Sequence, residues 1–226
     1  MRRVAFFDVD ETLLAGKSMV SFWRHWSAQL AGEGRSPGEL RTSGADRAAL
    51  NRAYFAHFEG VHRTVLEESA RRWYADYRRG PRAFLPATLR RLSEHRAYGD
   101  EIALVTGSGQ LLVRPVADDL GAHHVLATEQ MTDAGGTLTG EVRRSLIGDA
   151  KREAVTALLE RLGVRAEDCH AYGDHSTDLA MLGAVGHPVV VGDDPVLTGH
   201  GRARGWEFLE NVAGPRGAAV EVMPVG

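Results

Sequence analysis

One cysteine, two lysines and no long apolar run are what this 226-residue chain has least of. A single thiol, Cys169, cannot close an internal disulfide, which excludes a disulfide-stapled secreted scaffold. Its place just before Ala171 in an apolar stretch predicts a buried small hydrophobe. No stretch approaches the length needed to span a bilayer, so no membrane partner is expected. The apolar run behind Arg2 and Arg3 breaks at Asp8, too short for a secretory leader. A basic run or an aromatic-studded basic stripe is also missing, and the net charge is −3, which argues against nucleic acid as a partner. With 43% hydrophobic residues, the composition is that of a chain of one or two domains in a reducing, cytoplasmic compartment.

What is present begins with Val4-Ala-Phe-Phe-Asp8-Val-Asp10-Glu-Thr12. Val4 to Phe7 read as a buried parallel strand, and Asp8 and Asp10 fall where such a strand ends. Crevices beyond the carboxyl ends of strands are where open α/β sheets bind ligands. Residues i and i+2 of an extended segment point to one side, so two anions crowd there. Either they are ordinary solvated carboxylates of a turn, or a divalent cation with oxygen ligands lies between them.

Three more pieces follow in order. Ile102-Ala-Leu-Val-Thr106-Gly107-Ser108-Gly109 is an apolar strand ending in a hydroxyl and glycines. Lys151 opens a helix through Val155, Leu158, Leu159 and Leu162, and Gly173-Asp174-His175-Ser-Thr177-Asp178 is a further strand-to-helix junction with two carboxylates. Of the 27 Lys and Arg side chains only Lys17 and Lys151 are lysines. In a chain so biased to arginine, a retained lysine marks a position where a compact ammonium fits and a planar guanidinium does not. As an ordered set, D-x-D-x-T, T-G-S, K and G-D-x-x-x-D resemble the haloacid dehalogenase superfamily of phosphohydrolases, and within it the phosphoserine phosphatase-like branch. The resemblance runs from Val4 to about Phe208.

That resemblance implies roles. Asp8 is the expected nucleophile, forming an aspartyl-phosphate. Mg²⁺ is the expected cofactor, held by the carboxylates of Asp8 and Asp174 and the main-chain carbonyl of Asp10, with Asp178 holding a metal-bound water or orienting Lys151. Asp10 is the expected acid and base. Dehalogenases of the superfamily lack this second carboxylate, so its presence argues against carbon–halogen chemistry. Thr106 and the N–H of Gly107 would hold phosphoryl oxygens, and Lys151 would neutralise charge shared by Asp8 and the transferring group. Thr12 fits a turn-stabilising hydroxyl. His175 reads as a flanking pocket residue rather than a metal ligand. Phosphoserine phosphatases carry an acidic residue nine positions after the nucleophile, where this chain has Lys17, and Asn where it has Thr177. Both departures disfavour phosphoserine, and Lys17 is expected in the cleft, selecting a leaving group without an ammonium.

The expected fold class is α/β, a doubly wound parallel sheet with an inserted all-helical cap. Strand–helix alternation stops after Leu14, and residues 17–80 carry only helical spacing: Val20 to Leu30, Leu50 to His57, Val65 to Tyr77. The core is then residues 1–16 and 81–210, with helices over 84–95 and 111–120 and strands over 124–127 and 188–191. A glycine-turn hairpin is expected over 131–139, a helix opening at Pro195, and a loosely attached tail over 211–226. Nine of the 16 aromatic residues fall in 17–80, chiefly as the cap's own core, with a secondary reading in which two or more line the site. The cap is basic, with ten arginines and one lysine against seven acidic residues, a net of +4 that leaves −7 for the rest. Such a lid would draw a small-molecule phosphomonoester inward. Three functions compete: a Mg²⁺-dependent phosphomonoesterase, a phosphotransferase or mutase that passes the phosphoryl group to another hydroxyl, and a non-catalytic phosphate-binding protein.

Overall fold

The computed structural model describes residues 2–40 and 46–210, and the expected tail over 211–226 lies outside them. Seven strands form one sheet in the order β4-β3-β2-β1-β5-β6-β7: β1 (Val4–Phe7), β2 (Glu101–Gly109), β3 (His124–Thr132), β4 (Leu138–Arg144), β5 (His170–Gly173), β6 (His187–Val191) and β7 (Glu207–Leu209). All neighbours pair in parallel except β3 and β4.

Doubly wound packing follows from the period of two along β1. Ala5 and Phe7 face one layer, which holds α4 (Pro86–Ala97) and α5 (Gln110–Leu120). Val4 and Phe6 face the other, made by α6 (Asp149–Leu162), the short α7 (Leu179–Leu182) and α8 (Pro195–Arg204). All four β1 side chains are buried, as the continuous apolar run requires. The chain builds β1, β2 and β3 outward on one side, then returns to lay β5 on the other flank of β1. The strand order reverses there, and the carboxyl ends of β2, β1 and β5 converge on one crevice.

Between β1 and α4 the chain makes three helices, α1 (Ser18–Gly32), α2 (Arg47–Ala56) and α3 (Arg63–Tyr77). Eight of the nine aromatic residues of this stretch are buried. Phe58 stands at their centre, with the rings of Phe22, Trp23, Trp26 and Tyr54 at 5.2–6.1 Å. Such pairs contribute about 0.5–1.5 kcal/mol each beyond their buried area. The helices are bonded to the rest of the fold along one side of the hairpin. Gly60 and Arg63 donate main-chain N–H bonds to the carbonyls of Leu138 and Gly136, and Leu138 returns one to Val61. On another side, the Tyr74 hydroxyl donates to Asp119 of α5 at 2.7 Å.

Some expectations shift. The helix expected from residue 84 begins at Pro86, because Phe84 bridges to Leu14 and Leu85 N–H bonds Leu13. The strand over 124–127 runs on to Thr132, since the hairpin continues it. Asp133 fastens the turn by accepting from the N–H groups of Gly135 and Thr137. Edge strand β7, three residues long, carried no pattern in the sequence. Cys169 is buried, as expected.

Candidate active site

At the crevice, the chain leaves β1 through a tight turn in which Leu13 and Leu14 both donate their N–H to the Val9 carbonyl. Glu11 takes a left-handed conformation there, with φ of 58°. This turn puts the carboxylates of Asp8 and Asp10 on the same floor. Lys151, in the first turn of α6, reaches across the sheet: its Nζ lies 2.5 Å from Asp8 and 2.6 Å from Asp178. The ammonium is only 4% exposed. Burial pushes it down, but Asp178 and Asp8 more than offset that and hold it above the ordinary lysine range.

The carboxylates outnumber this one cation. Burial, with repulsion from Asp178, Asp174 and Asp10, pushes Asp8 well above the usual carboxylate range against the pull of Lys151. Burial and the neighbouring Asp178 raise Asp174 to about 7. Oxygens of Asp8, Asp174 and Asp178 lie within 4.8 Å of one another. Asp178 is already engaged, by Lys151 and by the His175 N–H at 3.1 Å. Asp174 accepts the Thr12 hydroxyl at 3.0 Å with one oxygen. One oxygen each of Asp8 and Asp174 thus has no hydrogen-bond partner among the described residues. Two such hard donors, in a site short of positive charge, fit a magnesium ion.

Asp10 is held differently. The Ser18 N–H, in the first turn of α1, donates to one oxygen at 2.8 Å, and the Ser108 hydroxyl reaches the other at 3.2 Å. The two serine hydroxyls lie 2.7 Å apart. Burial raises Asp10 above the usual carboxylate range despite these bonds, the direction that favours a proton on it. Thr106 lies beside Asp8 with its hydroxyl accepting from the Ser108 N–H at 3.0 Å. The Gly107 carbonyl takes the amide of Asn51 at 2.7 Å and the hydroxyl of Thr128 at 2.8 Å. Gly173, ahead of Asp174, must be a glycine: a Cβ there would stand 2.6 Å from the Asp178 Cβ.

These residues floor a cleft of about 270 Å³, roofed by α1 and α2. Asp8, Asp10, Thr106, Gly107, Lys151, Asp174, Thr177, Asp178 and Lys17 all line it. Lys17 stands at its mouth, its side chain 52% exposed and 3.6 Å from Glu11. His175 spends Nδ1 accepting the Thr177 N–H, at 3.1 Å, and lies 3.8 Å from Asp194 through Nε2. Two expectations change. Thr12 does not bond its own turn through its hydroxyl; it reaches Asp174, 162 residues on. Of the aromatic residues in 17–80, only Tyr54 lines the cleft; most of the others are buried in packing among the three helices. Asn51 and Ser18 were missed, and Tyr54 stood only within the secondary reading of the cap's aromatic residues. Ser108 stood inside the T-G-S motif, so its polar side chain beside Thr106 was a usable signal.

At the switch point of a doubly wound sheet, the crevice thus holds an acidic cluster bridged by one buried lysine, an arrangement suited to a hydrolase. The chain belongs to the haloacid dehalogenase-like hydrolase family, whose model matches residues 5–183. It is 32% identical to a probable phosphatase of Mycobacterium tuberculosis, over 92% of this chain and 75% of that protein. A phosphoserine phosphatase of the same organism is 30% identical, over 91% of this chain and 70% of its own length. The fold matches a crystal structure from Bordetella pertussis Tohama I, of unknown function, with a TM-score of 0.75 at 23% identity, over 94% of this chain and all of that one.

Proposed function

We propose that this protein is a Mg²⁺-dependent phosphomonoesterase that hydrolyses a small-molecule phosphate through an aspartyl-phosphate on Asp8. The observation that carries the reading is Lys151, a buried ammonium gripped between Asp8 and Asp178 with Asp10 poised beside them. The family membership and the phosphatases among the relatives support it.

Asp8, Asp174 and the main-chain carbonyl of Asp10 would hold Mg²⁺, which would supply positive charge against the phosphoryl oxygens. A carboxylate oxygen of Asp8 attacks phosphorus, and the bond from phosphorus to the ester oxygen breaks. Asp10, protonated, gives its proton to the departing oxygen. It then takes a proton from water as that water attacks the phosphoenzyme, and the bond from phosphorus to Asp8 breaks, releasing phosphate and restoring the Asp8 carboxylate and the protonated Asp10. Lys151 offsets the charge that Asp8 and the phosphoryl group share throughout, with Asp178 keeping it in place. Thr106 and Gly107 hold phosphoryl oxygens. We assign residues 17–80 as the cap that roofs this chemistry and residues 1–16 and 81–210 as the core. Lys17 at the mouth disfavours a leaving group with a free ammonium, phosphoserine included. The lone buried thiol suits a reducing, cytoplasmic setting.

Hydrolysis of p-nitrophenyl phosphate tests the reading. Chelation should lower turnover by at least about 100-fold and added Mg²⁺ should restore it; turnover indifferent to chelation would refute the metal's part. Asp10→Asn separates the two half-reactions. p-Nitrophenolate leaves without a proton, so the first half should proceed and the second stall. We expect one burst of nitrophenolate per enzyme, then a steady state slower by about 10²–10⁴-fold. Loss of the burst along with the steady state would show that Asp10 serves the attack and not proton transfer.

A further inference from the structure

Two buried polar atoms on residues that line the cleft have no hydrogen-bond partner among the described residues. Asn51 and Tyr54 are each 4% exposed, and neither the Oδ1 of Asn51 nor the hydroxyl of Tyr54 makes a hydrogen bond to a described residue. Leaving such a group buried and unpaired costs about 1–3 kcal/mol. The other atoms of this kind, on His25, Ser27, Ser145 and His170, do not belong to cleft-lining residues. Asn51 and Tyr54 lie three residues apart on α2, hence on one face.

Both groups are fixed in place. The Asn51 Nδ2 donates to the Gly107 carbonyl at 2.7 Å, which turns Oδ1 away as a pure acceptor. The Tyr54 ring is wedged edge-on against Phe58 at 5.2 Å and Trp23 at 6.3 Å. Burial, reinforced by the charge of Asp10, keeps its phenol protonated, so it remains a neutral donor. Around them the cleft is apolar, through Met19, Val20, Leu40, Leu50 and Ile147. The Tyr54 oxygen can also accept, but its unpaired proton is satisfied only by an acceptor, so a group that pairs both residues fully donates to Asn51 and accepts from Tyr54, and its neighbours must tolerate hydrocarbon. A hydroxyl does both with one oxygen. An ammonium offers only donors, and it would approach past Lys17 and Arg47, which also line the cleft.

We infer that Asn51 and Tyr54 form a recognition site for a hydroxyl on the leaving alcohol, so that the natural substrate is a monophosphate of a diol or polyol. The inference rests on the phosphomonoesterase reading for the position of the phosphate over Asp8. It goes beyond that reading by naming the class of leaving group and the residues that choose it. Asn51 and Tyr54 are specificity residues here and leave the chemical step to the floor of the cleft.

The test compares glycerol 1-phosphate with propyl phosphate, which differ in the two hydroxyls of the alcohol. Wild type should prefer glycerol 1-phosphate in kcat/KM by about 100-fold, since a site built to bond a hydroxyl rejects the analogue lacking it. Tyr54→Phe should cut that preference about tenfold, mainly by raising KM for glycerol 1-phosphate, with propyl phosphate turned over as before. Its folded form should be at least as stable as wild type, because the change removes an unpaired buried hydroxyl and keeps the ring. Asn51→Ala, which also frees the Gly107 carbonyl, should erode the preference as well. Titration calorimetry of both esters into Mg²⁺-loaded Asp8→Asn protein, with and without Tyr54→Phe, reads the preference without turnover. Equal affinity and equal kcat/KM for the two esters in wild type would overturn the inference, as would a preference untouched by Tyr54→Phe. If neither ester nor p-nitrophenyl phosphate is hydrolysed but binding still favours glycerol 1-phosphate through Tyr54, the recognition site stands and the phosphomonoesterase reading falls.

Discussion

Replacing Asp8 by Asn should lower turnover of p-nitrophenyl phosphate by on the order of 10⁴-fold or more, as removal of a nucleophile does in enzymes that work through a covalent intermediate. The amide keeps the shape of the side chain but has no charged oxygen to attack phosphorus. Wild type quenched during turnover should carry a phosphoryl group on the peptide spanning Val4 to Leu14, and Asp8→Asn should carry none. Stability should move the other way. Burial and three neighbouring carboxylates hold Asp8 above its ordinary range, with only Lys151 opposing them. A carboxyl whose native pKa exceeds its unfolded value loses stability as pH rises from the unfolded value toward the native one. At neutral pH, without metal, the ionised group is therefore a burden on the fold. Asp8→Asn protein freed of metal should melt no lower than wild type, and higher if relief of repulsion outweighs the lost contact with Lys151. A phosphorylated Asp8→Asn peptide, or turnover within tenfold of wild type, would end the aspartyl-phosphate mechanism.

Lys151 should tolerate no replacement, including the arginine that this chain uses for 25 of its 27 Lys and Arg side chains. Its ammonium sits 2.5 and 2.6 Å from two carboxylates in a site only 4% exposed, without room for a planar fork. Both Lys151→Arg and Lys151→Met should lose about 10²–10³-fold in kcat, the scale of removing one preorganised electrostatic contact from a transition state. Lys151→Met should also destabilise the protein by about 3–5 kcal/mol, because Asp8 and Asp178 are then buried without a cation. Adding Asp178→Asn to Lys151→Met removes one of those anions, so denaturant unfolding should show stability partly recovered while turnover stays lost. Arginine supporting wild-type turnover would show that Lys151 is a generic positive charge. Recovery of activity together with stability in the double variant would show that its importance is structural.

Much of the floor of the site was legible because its chemistry is written at strand ends. Asp8, Thr106 and Asp174 each follow or close an apolar run, and a parallel sheet with a switch point at β1 brings three such ends together. Lys151 stood out through the scarcity of lysine. What hid was the partner of each polar group. Nothing near Thr12 in the chain points to Asp174, and nothing near Ser18 points to Ser108. Those pairings are made by the fold closing over 162 and 90 residues. The wall was harder still. Asn51 and Tyr54 keep ordinary helical spacing among aromatic residues that pack, and only their unpaired polar atoms set them apart. Edge strand β7 was missed because three residues are too few to show a period.

The main-chain bonds between residues 60–63 and the hairpin tie a remote part of the molecule to the segment that follows α2. Gly140 on β4 lies beneath the C-terminal end of α2: with φ of 79°, a Cβ there would come within 3.4 Å of the Ala56 Cα and 3.1 Å of the Glu59 Cβ. The helix that carries Asn51 and Tyr54 is therefore packed on a strand that lines no part of the cleft. On the proposed reading, rewriting this hairpin would retune the pocket with the four sequence motifs unchanged, and a laboratory search for new specificities has a place to begin outside the cleft.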